Sequence, residues 1–310
     1  MTRFQRILIT KTPLAFILKR SKHWYLPGFE GVPLYDVGIF FYRQMKTVGL
    51  TERASAIAYN FIMAIPPSFL FLFTLIPNLP FIKKREILKQ LSLVIKDIIP
   101  AEGYNKEIIK FIDDTFFKVP VFGLLSFGLL LALFFASNAM MGIMRSFNKN
   151  YIGFQKRKGL LNRWIAIRLT TLIFGLVLGC LILLITQTAF LKWVGLKSEF
   201  WINFISYIRW IFIFFFIFYY IAFIYKYAPA VQKRWKLISP GAILATFLCI
   251  MASLGFSYFV NNFGRYNALY GSIGSIIVLM ALIFINSLVL LIGFELNVSI
   301  KSLKTIAEKR

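Results

Sequence analysis

The sequence is poor in the residues that usually do chemistry. It holds one histidine, His23, two cysteines, Cys180 and Cys249, and 12 acids among 310 residues. A single histidine excludes a histidine-rich metal cluster, and no HExxH, Walker A or GxSxG string occurs. Neither cysteine has a CxxC partner and both lie in apolar runs, so each reads as a small buried apolar side chain rather than a disulfide or metal ligand. Asp113 and Asp114 are adjacent, but on a helix neighbouring side chains diverge by about 100°. They are therefore unsuited to paired acid–base work. These absences argue against an enzyme. No cofactor and no metal are expected.

Charge is scarce as well. Only 15% of residues are charged, against about 25% in soluble domains. What fills the space is apolar: 59% of residues, 35 of them Phe, with a mean hydropathy of +0.73. A soluble fold has no interior large enough for this. The composition predicts an all-α integral membrane protein. Six stretches approach the ~20 apolar residues that a spanning helix needs: about Ala54–Pro80, Val121–Met144, Trp164–Leu191, Tyr207–Tyr227, Pro240–Val260 and Ser272–Phe294. The segment before them, "RILITKTPLAFILKRSK", is broken by Lys11 and Pro13. It is not a secretory signal, and the first span is expected to act as an uncleaved insertion signal.

The 36 basic residues are unevenly placed. The segment before the first span has nine, the loop Arg145–Arg163 six, the loop Lys226–Ser239 four and the tail after Asn297 four. The alternate short loops are poorer. The positive-inside rule then predicts both termini in the cytoplasm. Membrane lipids with anionic headgroups are the partner expected at that face, at ~1 kcal/mol per basic residue near the surface. No nucleic acid is expected.

Outside the spans, "PLYDVGIFFYRQMKTVG" has helical apolar spacing and reads as an interfacial helix on the inner leaflet. "REILKQLSLVIKDIIP" and "NKEIIKFIDDTFFKVP" read as an extracytoplasmic amphipathic helical hairpin between the first two spans, at about 81–120. The expected organisation is a cytoplasmic or interfacial segment 1–50, a six-helix membrane domain 51–300 and a basic cytoplasmic tail 301–310. The second and fifth spans open alike, "KVPVFGLLSFGLLLAL" and "LISPGAILATFLCIMA". This is compatible with an inverted repeat of three and three spans.

Several strings together resemble one family: "ASAIAYNFIMAIPP", "LFFASNAMMGIMRSFNKNY", "PGAILAT", "YNALYGSIGSIIVLM" and "LIGFELN". Their order and content are similar to the YihY/BrkB family of bacterial inner-membrane proteins, over about Gly49 to Asn297. The resemblance implies a multi-pass plasma (inner) membrane protein with six helices and cytoplasmic termini. It also points to proteins long labelled ribonuclease BN, to a virulence-associated branch, and to a proposed role in moving lipids or envelope precursors. The residues here lack the groups that a ribonuclease needs.

Polar groups inside spans mark candidate sites. Arg145, Arg168 and Glu295 share a depth near the cytoplasmic side: both arginines are expected to snorkel to headgroups, with a pair between Glu295 and Arg168 or Arg145 as the alternative if those helices are neighbours. Arg209 lies at the outer part of the fourth span. Asn60 precedes Pro66 and Pro67, which are expected to kink the first span. Asn60, Arg145, Arg168, Arg209 and Glu295 are the candidate substrate-binding residues. Pro240 and Gly241 are structural residues opening the fifth span. Tyr270, Gly271 and Gly274 form a turn at the outer surface, with Ser272 capping the sixth. Asn148, Thr170, Thr171, Thr186, Gln187 and Asn286 are expected to join helices. Two functions remain open: a transporter or flippase for an amphiphilic envelope component, and a non-transporting envelope scaffold.

Overall fold

The computed structural model describes residues 20–75, 121–148, 151, 154, 157, 159–194, 214–231, 234–263 and 272–308. Among them, the elements are seven helices: α1 (Leu34–Thr47), α2 (Leu50–Leu75), α3 (Val121–Phe147), α4 (Gly159–Val194), α5 (Phe214–Tyr227), α6 (Pro240–Phe263) and α7 (Ser272–Glu308). The described residues contain no strand; Phe154 and Val231 form an isolated antiparallel bridge. The expected outer hairpin, Arg209, Tyr270 and Gly271 lie outside the described residues.

Stretches in α3, α4, α6 and α7 are long and apolar enough to cross a membrane. Their surroundings fit that solvent. In water, a helix that is apolar all round is buried. Here only 17% of the apolar stretch Pro240–Phe259 is buried. Phe247, Met251, Leu254 and Tyr258 are all exposed, and their spacing makes one continuous stripe along α6. A bare stripe of this kind suits lipid. α2 has 26 residues and covers the predicted first span from Ala54 to Leu75. α5 is described over the inner part of the predicted fourth.

The chain groups into two compact units, one of residues 1–58, 142–162 and 204–310, the other of residues 59–141 and 163–203. In the first, α6 packs along α7 and α7 along α1. The opposite face of α6 carries small buried groups, Gly241, Ala242, Ala245 and Thr246. Gly241 and Gly293 allow the α6 and α7 backbones to touch: a Cβ on either would overlap the other's carbonyl oxygen. Close approach through small residues is how helices associate where lipid removes the hydrophobic drive. The start of α6 is held from α7. Pro240 is its first residue, where a missing N–H costs nothing. The Gly241 N–H donates to Asn297 Oδ1 at 2.8 Å, Asn297 Nδ2 donates to Ser239 Oγ at 2.9 Å, and Ser239 Oγ accepts the Ala242 N–H. Lower along the same interface, Asn286 bonds Ser253 Oγ and accepts from Cys249 Sγ at 2.7 Å. Cys249 is thus half-buried and hydrogen-bonded, which corrects its reading as a mere apolar filler.

α7 does not end near Phe294. It runs 37 residues to Glu308, about 55 Å at 1.5 Å per residue, well beyond a hydrocarbon core of ~30 Å. The basic segment 301–308 therefore continues this helix. Its apolar spacing continues: Leu296, Ile300 and Leu303 pack with Phe29, Val32, Leu34 and Val37. Lys304 and Lys301 reach Glu30 at 3.1 and 3.8 Å. α1 covers the interfacial helix expected at "PLYDVGIFFYRQMKTVG", and the turn into α2 passes through Gly49 at φ 65°, a left-handed conformation that favours glycine. Thr51 lies inside the first turn of α2.

In the second unit, Pro66 and Pro67 lie inside α2, which stays helical through Leu75, and Ser68 Oγ donates to the Ala64 carbonyl at 2.7 Å. Asn60 is half-buried on the same helix. Arg163 at the start of α4 donates to Asn138 Oδ1 on α3 at 2.5 Å and stands 4.9 Å from the centre of the Phe134 ring. Phe71 and Phe174 pack with ring centres 5.3 Å apart. Thr170 Oγ1 is buried without a partner among the described residues, and Thr171 bonds only the Ile167 carbonyl of its own helix. Neither therefore joins two helices by a described hydrogen bond.

The Gly241–Gly293 crossing generates a prediction. Gly293→Val should lower stability by about 1–3 kcal/mol through overpacking, read as a fall in the thermal midpoint of the detergent-solubilised protein. Gly255→Val, at a position with open space around it, should leave the midpoint nearly unchanged.

Candidate functional site

Glu295 stands at the end of the predicted sixth span, one residue past Phe294, and its partner is Arg53. Glu295 is 0% exposed and Arg53 6%. Arg53 Nη1 meets Glu295 Oε1 at 2.5 Å. The Tyr151 hydroxyl donates to the same oxygen at 2.6 Å and accepts from Arg53 Nη1 at 3.2 Å. Arg53 Nη2 donates to the Ser146 carbonyl. Four separate pieces of chain meet here: the first turn of α2, the last turn of α3, the loop after α3, and α7. The Ser146 contact has a plain cause. The last carbonyls of a helix lack partners and carry partial negative charge, and a guanidinium supplies both hydrogen and charge.

Aromatic rings enclose the cluster. Phe294 stacks on Phe147 with centres 3.9 Å apart and planes 1° from parallel. Tyr151, Phe154, Tyr225 and Trp235 surround the same ring at 5.4–6.4 Å. This shell removes water and strengthens the charge pair. It also raises the Tyr151 phenol above its ordinary 10.0, mainly through burial and then through the Glu295 charge. Tyr151 is therefore a neutral donor at physiological pH. Three buried polar atoms of this neighbourhood lack partners among the described residues: Glu295 Oε2, Arg53 Nε and Trp235 Nε1.

Beside the cluster, the loop after α3 is stitched to the segment after α5. Asn148 Oδ1 accepts the Ala230 N–H at 2.7 Å, so Asn148 does join separate elements as expected. Arg157 donates to the Ala228 and Pro229 carbonyls at 3.3 and 2.8 Å. Burial and the nearby Arg234 charge lower the Arg157 pKa.

Among the described residues Glu295 is paired with Arg53 and not with Arg145. Arg145 and Arg168 are both exposed, and Arg168 belongs to the other unit. Asn60 is half-buried in the other unit, and Arg209 lies outside the described residues. Of the five candidate substrate-binding residues, only Glu295 lies in this cluster. Pro240 and Gly241 do open α6, and Gly274 lies in the first turn of α7. The sequence reading missed Arg53, Tyr151 and Asn297. Arg53 lies one residue before the predicted first span and counts there only among the basic residues of the N-terminal segment. Tyr151 and Asn297 stand in strings already singled out, "RSFNKNY" and "FELN".

Chemically, the cluster can hold one carboxylate charge against one permanent cation and pass a proton between a phenol and a carboxylate. It presents no nucleophile to an open cleft. Among the described residues, no group of three or more His, Cys, Asp or Glu could hold a metal ion.

Comparison with known proteins agrees with the membrane character. Residues 41–310 match the family model described as "Virulence factor BrkB". A protein of Bacillus subtilis (strain 168) named as ribonuclease-like protein YfkH is 30% identical over 262 residues, covering 83% of this chain and 92% of its own. The UPF0761 membrane protein NTHI0384 of Haemophilus influenzae (strain 86-028NP) is 24% identical over 274 residues, 86% of this chain and 95% of its own. No solved structure matches the chain.

Removing one partner of a buried pair strands the other charge. Arg53→Leu and Glu295→Leu should each cost about 3–5 kcal/mol, and the Arg53→Leu/Glu295→Leu double variant should cost clearly less than the sum, measured by a thermal double-mutant cycle. Tyr151→Phe should cost about 1.5–3 kcal/mol, as for a hydrogen bond to a charged group. The raised Tyr151 pKa also sets a direction with pH. The folded state keeps this proton longer than the unfolded chain, so its contribution is full below pH 10 and is lost as pH rises beyond that. Alkaline titration of the thermal midpoint should fall less steeply in Tyr151→Phe.

Proposed function

This chain belongs to the virulence factor BrkB family of membrane proteins, and from that premise we propose that it is a multi-pass protein of the bacterial inner membrane that moves a lipid or another amphiphilic envelope component between leaflets. The buried Arg53–Glu295–Tyr151 cluster carries the reading. Ionisable groups inside a membrane bundle are costly, and they commonly belong to substrate pathways or proton relays. Six spans, cytoplasmic termini and a basic inner face attractive to anionic headgroups complete the proposal. The domain limits remain 1–50, 51–300 and 301–310, with α7 running unbroken across the last boundary. Hydrolysis of RNA is not part of the reading, because the cluster locks its only acid against an arginine.

A second reading, a non-transporting envelope scaffold, has one observation in its favour. Three cavities of about 150, 590 and 520 Å³ are lined by residues within 21–46, 235–240 and 297–307. Among the described residues, these three cavities do not touch Asn60, Arg145, Arg168 or Glu295.

Reconstitution separates the two. In liposomes holding a fluorescent anionic phospholipid, the protein should speed loss of inner-leaflet label to an external quencher. Glu295→Gln, selected for an unchanged size-exclusion profile, should slow it. Rates equal to protein-free liposomes for anionic and zwitterionic lipids alike would leave the scaffold reading.

A further inference from the structure

Helix α1 has two apolar faces, and α7 uses only one. Val37 is buried with Phe29, Val32 and Ile300. Tyr35, Ile39, Tyr42 and Lys46 recur on another face at helical spacing. They line an open groove of about 520 Å³, with Leu34 and Gly38 in its wall and Arg43 at its rim. Ile39 and Tyr42 are exposed. A cation stands over each tyrosine: Lys22 Nζ lies 5.0 Å from the centre of the Tyr35 ring, and Lys46 Nζ 4.4 Å from that of Tyr42. Trp24, Tyr25 and Leu26, just upstream, are exposed as well.

The groove therefore has an apolar floor and a cationic rim. Among the described residues, neither Arg43 nor Lys46 forms an ion pair. The one acid of α1, Asp36, lines the neighbouring cavity and not this one. A protein partner would need an apolar ridge with acids along one edge. An anionic phospholipid has that shape in each molecule and is the solvent of the adjoining helices. Aromatic residues mixed with Lys and Arg are also what the headgroup layer accepts. We propose that this groove binds an anionic glycerophospholipid, its acyl chain along Leu34, Ile39 and Tyr42 and its phosphate against Arg43 and Lys46. The inference rests on the inner-membrane reading above but not on transport.

The test uses the full-length protein. Native mass spectrometry from mixed micelles should show phosphatidylglycerol retained in preference to phosphatidylcholine. The Arg43→Gln/Lys46→Gln variant should bind phosphatidylglycerol on the order of tenfold or more weakly, and Ile39→Glu should weaken it comparably. Both changes fall on an exposed face, and an unaltered thermal midpoint checks that the fold is kept. In parallel, a phosphatidylglycerol with a photoreactive acyl chain should label residues 34–46 in the wild type. Equal retention by wild type and variants would overturn the proposal. So would labelling confined to residues 1–19 or to the spanning helices. If the protein binds in this groove but fails the liposome assay, the site stands and the transport reading falls.

Discussion

A carboxylate and a guanidinium face each other inside a shell of aromatic rings, and the order of one end of the bundle follows from their pairing. Glu295 is carried by α7, Arg53 by the first turn of α2, and the arginine also takes the last free carbonyl region of α3 through Ser146. Neither charge tolerates that environment alone. A buried ion pair contributes little net stability relative to a well-packed apolar pair, yet breaking it is expensive. Its role is thus specification: only one mutual placement of these chain segments satisfies both charges. Tyr151 narrows the placement further, since its hydroxyl serves both partners.

The rest of this unit follows the rules of a lipid solvent. Helices there gain nothing by hiding leucine from lipid, so α6 and α7 meet through glycine, alanine, serine and asparagine while the bulky residues of α6 turn outward. Asn297 shows how the two rules meet. It lies two residues beyond Glu295 on α7, and it caps α6 through the Gly241 N–H and Ser239. One short stretch of α7 therefore fixes both the charged cluster and the start of the neighbouring helix.

Much of the fold was legible beforehand. Long apolar runs have few alternatives once backbone groups must be satisfied without water. The starts at Pro240 and near Val121, and the helix at 34–47, fell where apolar spacing put them. The end of α7 did not, because its last turns are amphipathic and pack on α1, a partner that a one-dimensional pattern does not display. The site was half legible. A lone glutamate in an apolar run announces a buried partner, so Glu295 stood out. Arg145 and Arg168 looked suitable because they share its depth, but depth does not say which side of a helix faces the bundle. Both are exposed. Arg53 stands just outside the predicted first span, among the basic residues of the N-terminal segment, and so does not read as an intramembrane charge.

By itself, then, the sequence determined the solvent, the helical class and the presence of a charge that needs a partner. Composition and run length suffice for these, because the cost of exposing polar backbone to lipid, or apolar surface to water, is set residue by residue. Only the tertiary structure decided which arginine answers Glu295, which glycines touch, and which face of α1 is left open. Those outcomes depend on the rotation of each helix about its axis. Rotation is fixed by mutual packing and hydrogen bonding between residues 242 positions apart in the case of Arg53 and Glu295, and no local pattern in the chain encodes a distance of that kind.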